Sequence, residues 1–161
     1  MGYMANVQTL KPMTGSGVLS SEDLRSDRQR AVYDWFIAFA ERGTLPSRAD
    51  FDPLDFAKTI SHLVLVDVED APRRYRVRLV GTAVVDATGR DATGNYYDAT
   101  EGTEAAAARA ADLVESRQAR FESDLPMDWS AKDFKTYSVL SLPLSSDGAN
   151  VDIIMYCLDF E

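Results

Sequence analysis

The sequence predicts an α+β domain organised around a five-stranded antiparallel sheet. Three observations lead there. At 161 residues with 45% hydrophobic content, the chain can bury one core and lacks the length for a second. Its apolar residues follow a helical period up to about residue 61 and a strand period from His62 onward. An alanine-rich helical stretch then interrupts the strands in the middle.

Residues 1–19 carry Thr, Gly, Ser and Pro without sustained periodicity, and read as a flexible leader to a single domain over residues 20–161. Ser20 and Asp23 have capping-box spacing. The N-terminal helix they open is expected over about 22–42, with Gly43 as its C-cap. The domain core, about 45–160, starts with an extended Leu45-Pro46 step. Asp52 stands as N-cap before Pro53, which sets a short second helix from Pro53 to about Ser61.

"HLVLVDVE", from His62, is rich in strand formers, and "RYRVRLVG" alternates strictly. Tyr75, Val77 and Leu79 fall on one face, Arg74, Arg76 and Arg78 on the other. "DAPR" between the two runs suits a hairpin connection. Asp98 and Glu101 repeat the capping-box spacing and predict a helix from about Glu101 to Ser116. "ARFESD", "FKTYSVLSLPL" and "NVDIIMYCLDF" supply three more strands, with "SSDGA" as the turn between the last two.

Charge and composition exclude several functions. A net charge of −9 opposes phosphate backbones and anionic lipid, so nucleic acid is not an expected partner. No run approaches the roughly 20 apolar residues of a membrane span. The opening "MGYMANVQTLKPMTGSG" lacks the charged head and apolar stretch of a signal peptide, so the chain is expected in the cytoplasm, with no membrane partner. A lone cysteine, Cys157, leaves no intrachain disulfide and no paired-cysteine metal knuckle.

"DATGRDATG", Asp86 to Gly94, looks like a phosphate cradle or a repeat and is read as neither. Gly81, Gly89 and Gly94 miss the spacings of the phosphate-binding loops, no lysine follows, and Asp86 and Asp91 would repel phosphate. Nothing outside the two tetrapeptides recurs. What remains is "GTAVVDAT" as a short helix ended by Gly89, with Gly94 supplying a second turn.

The residues that carry a family resemblance are Leu45, Pro46, Arg48, Asp50, Asp52 and Pro53, then Gly81, Thr82, Gly89, Arg90, Asp91, Thr93 and Gly94. In this order the chain, over roughly Val32 to Phe160, resembles the PAS domains found as short proteins mostly in alphaproteobacteria. The resemblance implies a PAS fold: a sheet curled round a cleft, with helices over one face and an N-terminal helix that passes signals on. It implies a sensory module without catalytic residues, which acts on a small-molecule ligand, a signalling protein partner, or both. In that setting "GRDATG" shapes the cleft wall, and Arg90 or Asp91 ties it down by a salt bridge or a capping hydrogen bond. A partner-binding module without ligand is the alternative. An isomerase or cyclase with Asp and Tyr in an apolar pocket is a third class, disfavoured because a helical segment interrupts the sheet after its second strand.

No cofactor is named by the residues. The single histidine, His62, reads as a hydrogen-bonded structural residue rather than a haem ligand, and Cys157 lies in the last strand, outside the helix motif of photoactive flavin domains. Asp147, Asp152 and Asp159 lack EF-hand spacing. The ligand-binding candidates are Tyr75, Val77, Leu79, Val85, Arg90, Tyr97, Tyr137, Met155 and Cys157, with plain core or turn as the favoured reading of each residue taken singly. "AVYDWFIAFA" in the first helix is apolar over well more than half its circumference, which predicts a homodimer through Val32, Trp35, Phe36 and Phe39. The competing expectation is that the chain's own sheet and the Pro53 segment cover that surface.

Overall fold

In the computed structural model the described residues are 13–14, 17–127 and 136–160. Most of the expected leader lies outside them, as do Phe134 and Lys135 of the strand run. Two-residue strands β1 (Met13–Thr14) and β2 (Gly17–Val18) come first. The main elements follow in the expected order: α1 (Asp27–Ala40), β3 (Leu63–Glu69), β4 (Arg74–Val80), α2 (Thr82–Thr88), α3 (Glu104–Ser116), β5 (Arg120–Pro126), β6 (Thr136–Leu144) and β7 (Ile153–Phe160). β5, β6, β7, β3 and β4 form the five-stranded antiparallel sheet in that spatial order, and β1 runs parallel to β5 at one edge.

The central strands β6 and β7 are apolar on both faces because both are covered. On one face lies α1, whose Gln29 side chain reaches Ser138 and Cys157 and whose Arg28 pairs with Asp159 at 3.1 Å. On the other lie α2 and α3.

Helix boundaries differ from the expectation where a local cap finds another use. The Ser20–Asp23 capping box is present, yet it closes only a 3-10 turn over Ser21–Asp23. Leu24 is extended, with ψ of 146°, and buries its side chain, so the helix restarts at Ser26, whose hydroxyl accepts from the Gln29 amide. Asp52 caps as expected, accepting from Leu54 N at 3.0 Å, but the segment is a 3-10 turn over Pro53–Phe56 followed by another over Ile60–His62. Asp98 does not cap α3. Its carboxylate is held by Arg74 through two 2.9 Å bonds, and Thr103 precedes the helix instead.

Two glycines position α2. Gly81 precedes it, and a Cβ there would sit 2.2 Å from the Ser61 carbonyl oxygen, so only glycine lets the helix start against that turn. Gly89 ends it with φ of 80°, its N–H bonded to Val85 O, the left-handed cap that the sequence indicated.

The α1 surface is divided differently from the dimer expectation. Val32 and Phe36 are fully buried within the chain, on the side of the helix that meets its own sheet. They are unavailable to a second copy. Trp35 is half-buried under Phe51 and Phe56, with ring centroids at 5.2 and 6.4 Å, and Phe39 packs on it at 5.6 Å. The Pro53 segment therefore covers much of what the helix alone would expose.

Candidate functional site

The face of the sheet opposite α1 and the helices α2 and α3 line a half-open cavity of about 100 Å³. Its floor is Val64 of β3, Val77 and Val80 of β4, Val139 of β6 and Leu158 of β7. Val84 and Thr88, one turn apart on α2, close one side, and Ala106 and Arg109, three apart on α3, close the other. Arg90, Ala92 and Asn95 form the rim. That rim is stitched to the free edge of β4 by Val77 N to Asn95 O at 2.9 Å and Gly94 N to Val77 O at 2.8 Å. The glycine-punctuated stretch is thus a backbone-built wall of the cavity.

Polar groups gather at the α3 end. Tyr97, Tyr137 and Tyr156 all line the cavity, and Arg109 Nη2 donates to Tyr137 Oη at 2.8 Å. Burial pushes the Tyr97 phenol up to about 12 and that of Tyr156 well above its usual value. Both stay neutral at physiological pH. Arg109 Nε stands 3.7 Å from Glu122 Oε1, within ion-pair range but beyond a hydrogen bond. Thr103 donates to Tyr97 O at 2.6 Å and fixes the turn that carries Tyr97.

The model of the family described as PAS domain matches residues 24–158. The chain belongs to the PAS domain family. Among solved structures, it is similar to the PAS domain of histidine kinase ThkA at 10% identity, covering 61% of this chain and 96% of that one, with a TM-score of 0.46. It is similar to a light-oxygen-voltage domain studied with a flavin analogue, at 15% identity over 67% of this chain and 81% of that one, with a TM-score of 0.48. A light-oxygen-voltage protein of Rhodobacter sphaeroides is also similar, at 15% identity over 68% of each chain, with a TM-score of 0.45. No curated protein matches the chain. A sensory signalling domain fits this family, and among the described residues no helix is long and apolar enough to cross a membrane.

Within this PAS domain the site candidates fall into three groups. Val77, Arg90, Tyr97 and Tyr137 line the cavity. Tyr75 is buried beside it, its ring 5.8 Å from that of Tyr97. Leu79, Val85, Met155 and Cys157 do not line it.

Each of the four has a physical reason. β3 and β4 slip register between Leu65 and Val66: Leu65 faces Leu79 and Val66 faces Val77, which leaves Arg78 as an extra residue. The bulge turns Val80 inward and leaves Leu79 40% exposed on the other face. Val85 is one position off the Val84–Thr88 stripe of α2. Met155 and Cys157 are fully buried on the α1 face, and the cavity takes Tyr156 and Leu158 instead. A run apolar on both faces carries no phase, so β7 could not announce which set faces inward.

Arg109 was missed although a signal existed, since it is the only basic residue of α3 and lies within its buried stripe of Ala110 and Leu113. His62 lies outside the cavity, its Nδ1 3.0 Å from Ser61 Oγ, and burial lowers its pKa. Because Cys157 points away from the cavity, a flavin bound there would meet no thiol. Asp91 accepts from Thr93 N at 3.0 Å and Thr93 Oγ1 at 2.6 Å, the turn role. Asp147 organises the β6–β7 turn, and Asp152 accepts from Ser146; among the described residues no acidic, His or Cys cluster could hold a metal ion.

Proposed function

We propose that this PAS domain is a non-catalytic sensory module of the cytoplasm that takes a small molecule into the cavity between α2, α3 and the sheet. One observation carries the reading: an apolar void ends in a convergent polar cluster, Tyr97, Tyr137, Tyr156 and Arg109, the pattern of a ligand site rather than of a filled core. Occupancy would move the central strands, and α1 reads those strands from behind through Gln29 and Arg28. Native mass spectrometry of the purified chain beside its denatured mass tests this. The expected result is a non-covalent excess mass that Val77→Phe, which fills the void, removes. Equal masses would overturn the reading if, in addition, no member of a panel of small apolar acids, amides and alcohols raised the melting temperature.

A second reading, docking of a partner or of a second copy beside α1, is favoured by Leu54. This side chain is 86% exposed in the same turn as Phe56, within the segment that covers Trp35. A homodimer would then use Leu54 with the open edges of Trp35 and Phe39. Light scattering at micromolar concentration should show a dimer that Leu54→Asp converts to monomer; a monomeric parent chain removes the idea.

A further inference from the structure

We infer that the ligand of the cavity is a short-chain monocarboxylate, its carboxylate held by Arg109 and its apolar body lying against the sheet valines. This rests on the cavity being the ligand site. The case begins with how α3 places Arg109. Ala110 and Leu113 on the same stripe are buried, which draws the guanidinium into the space between α3 and β6, with only 19% of its side chain exposed.

There the guanidinium keeps donors open to the pocket it lines. A guanidinium carries five N–H donors in a planar fork. Among the described residues, Arg109 makes one hydrogen bond, to the Tyr137 hydroxyl, and its nearest carboxylate oxygen, on Glu122, is 3.7 Å away. A carboxylate placed on the open side of that fork would make short, charge-assisted bonds. The nearby hydroxyls of Tyr97 and Tyr156 are neutral, so they do not repel an anion; Glu122 is the single competitor in contact with Arg109 among the described residues.

Size and shape narrow the class further. A void of about 150 Å³ holds benzene. One of about 100 Å³, lined by Val64, Val77, Val80 and Val139, therefore has room for an apolar body of about four carbons. A phosphate ester would bring a second negative charge to the end of the pocket where Glu122 already stands 3.7 Å from Arg109.

The probes are isobutyrate, isobutyramide and isobutanol, titrated at pH 7 and followed by the methyl resonances of Val77 and Val139. Isobutyrate should bind about tenfold more tightly than isobutyramide, as a charge-assisted bond exceeds a neutral one. Arg109→Gln should abolish that preference while leaving isobutanol binding intact, which also reports that the variant is folded. Glu122→Gln, which removes the competitor, should tighten isobutyrate alone. If the amide and alcohol bind and the acid does not, or if the acid keeps its preference in Arg109→Gln, the carboxylate assignment falls while the sensory reading stands. If none of the three moves the methyl resonances, the carboxylate assignment falls, and the sensory reading stands or falls on the native-mass comparison.

Discussion

The side-chain amide of Gln29 donates to the hydroxyl of Ser138 at 3.1 Å, between two residues without solvent exposure. The same nitrogen lies 3.2 Å from the Cys157 carbonyl. Ser138 follows Tyr137 in the chain and Cys157 follows Tyr156, so both acceptors sit back to back with cavity tyrosines across the thickness of one sheet. Tyr137 and Tyr156 are therefore each one peptide unit from a residue that holds Gln29 of α1.

Gln29→Leu should keep the volume and lose the pin. The Gln29 carbonyl oxygen also accepts from Arg25 N at 3.0 Å, so the change strands a part-buried donor. We expect a loss of about 1–3 kcal/mol, read as a lower denaturant midpoint at unchanged m-value. Faster hydrogen exchange in α1 should accompany it. An unchanged midpoint with unchanged exchange would mean the amide holds nothing.

Gly81→Ala should be more damaging than its backbone suggests. With φ of −65° at Gly81, alanine has no conformational cost, yet its Cβ would lie 2.2 Å from Ser61 O and 2.7 Å from Ile60 O, both backbone atoms that cannot swing away. Overpacking of this kind costs about 1–3 kcal/mol. Because α2 must move, the cavity side formed by Val84 and Thr88 should change with it, and any ligand-induced thermal shift should shrink. A neutral substitution would place the helix start elsewhere.

Gly89→Ala tests the opposite kind of glycine. Here φ is 80° and no crowding atom lies within reach of a Cβ, so the cost is conformational, about 1 kcal/mol. Gly89→Asn should recover part of it, since asparagine tolerates the left-handed region. Equal stability of the alanine variant and the parent would refute the cap.

Cys157 should be inert to thiol reagents at pH 8 in the folded chain. Burial pushes its thiol up to about 12 from 9.0, so the reactive thiolate is scarce and the sulfur is inaccessible. Denaturant should release full reactivity. The linkage has one sign: the folded thiol stays protonated where the unfolded one ionises, so its contribution is whole below about pH 9 and is drained as pH climbs toward about 12. Cys157→Ser should flatten that alkaline loss of stability; an unaltered alkaline profile would exclude the thiol as its source.

What the sequence by itself determined is local. The left-handed cap at Gly89, the Asp52–Pro53 turn start, the alternation that made β4 a strand and the order of every main element could be read because their causes lie within a few residues along the chain. Two separated runs of residues were also enough to mark the PAS family. Even these readings failed where a long-range partner outbid the local one, as when Arg74 took the carboxylate of Asp98 and left α3 to begin later.

The tertiary structure alone decided which residues meet in the cavity. The Arg78 bulge, which exchanges Leu79 for Val80, is a property of two paired strands and leaves no trace in the alternation of one. The inward phase of β7 is set by its pairing with β6, Leu158 against Val139 and Tyr156 against Ser141, because a strand covered on both faces is apolar throughout. Trp35 is half-buried because Phe51 and Phe56 return from later in the chain to cover it. Arg109 meets Tyr137 only because α3 crosses β6, so the polar end of the site exists in no single stretch of sequence.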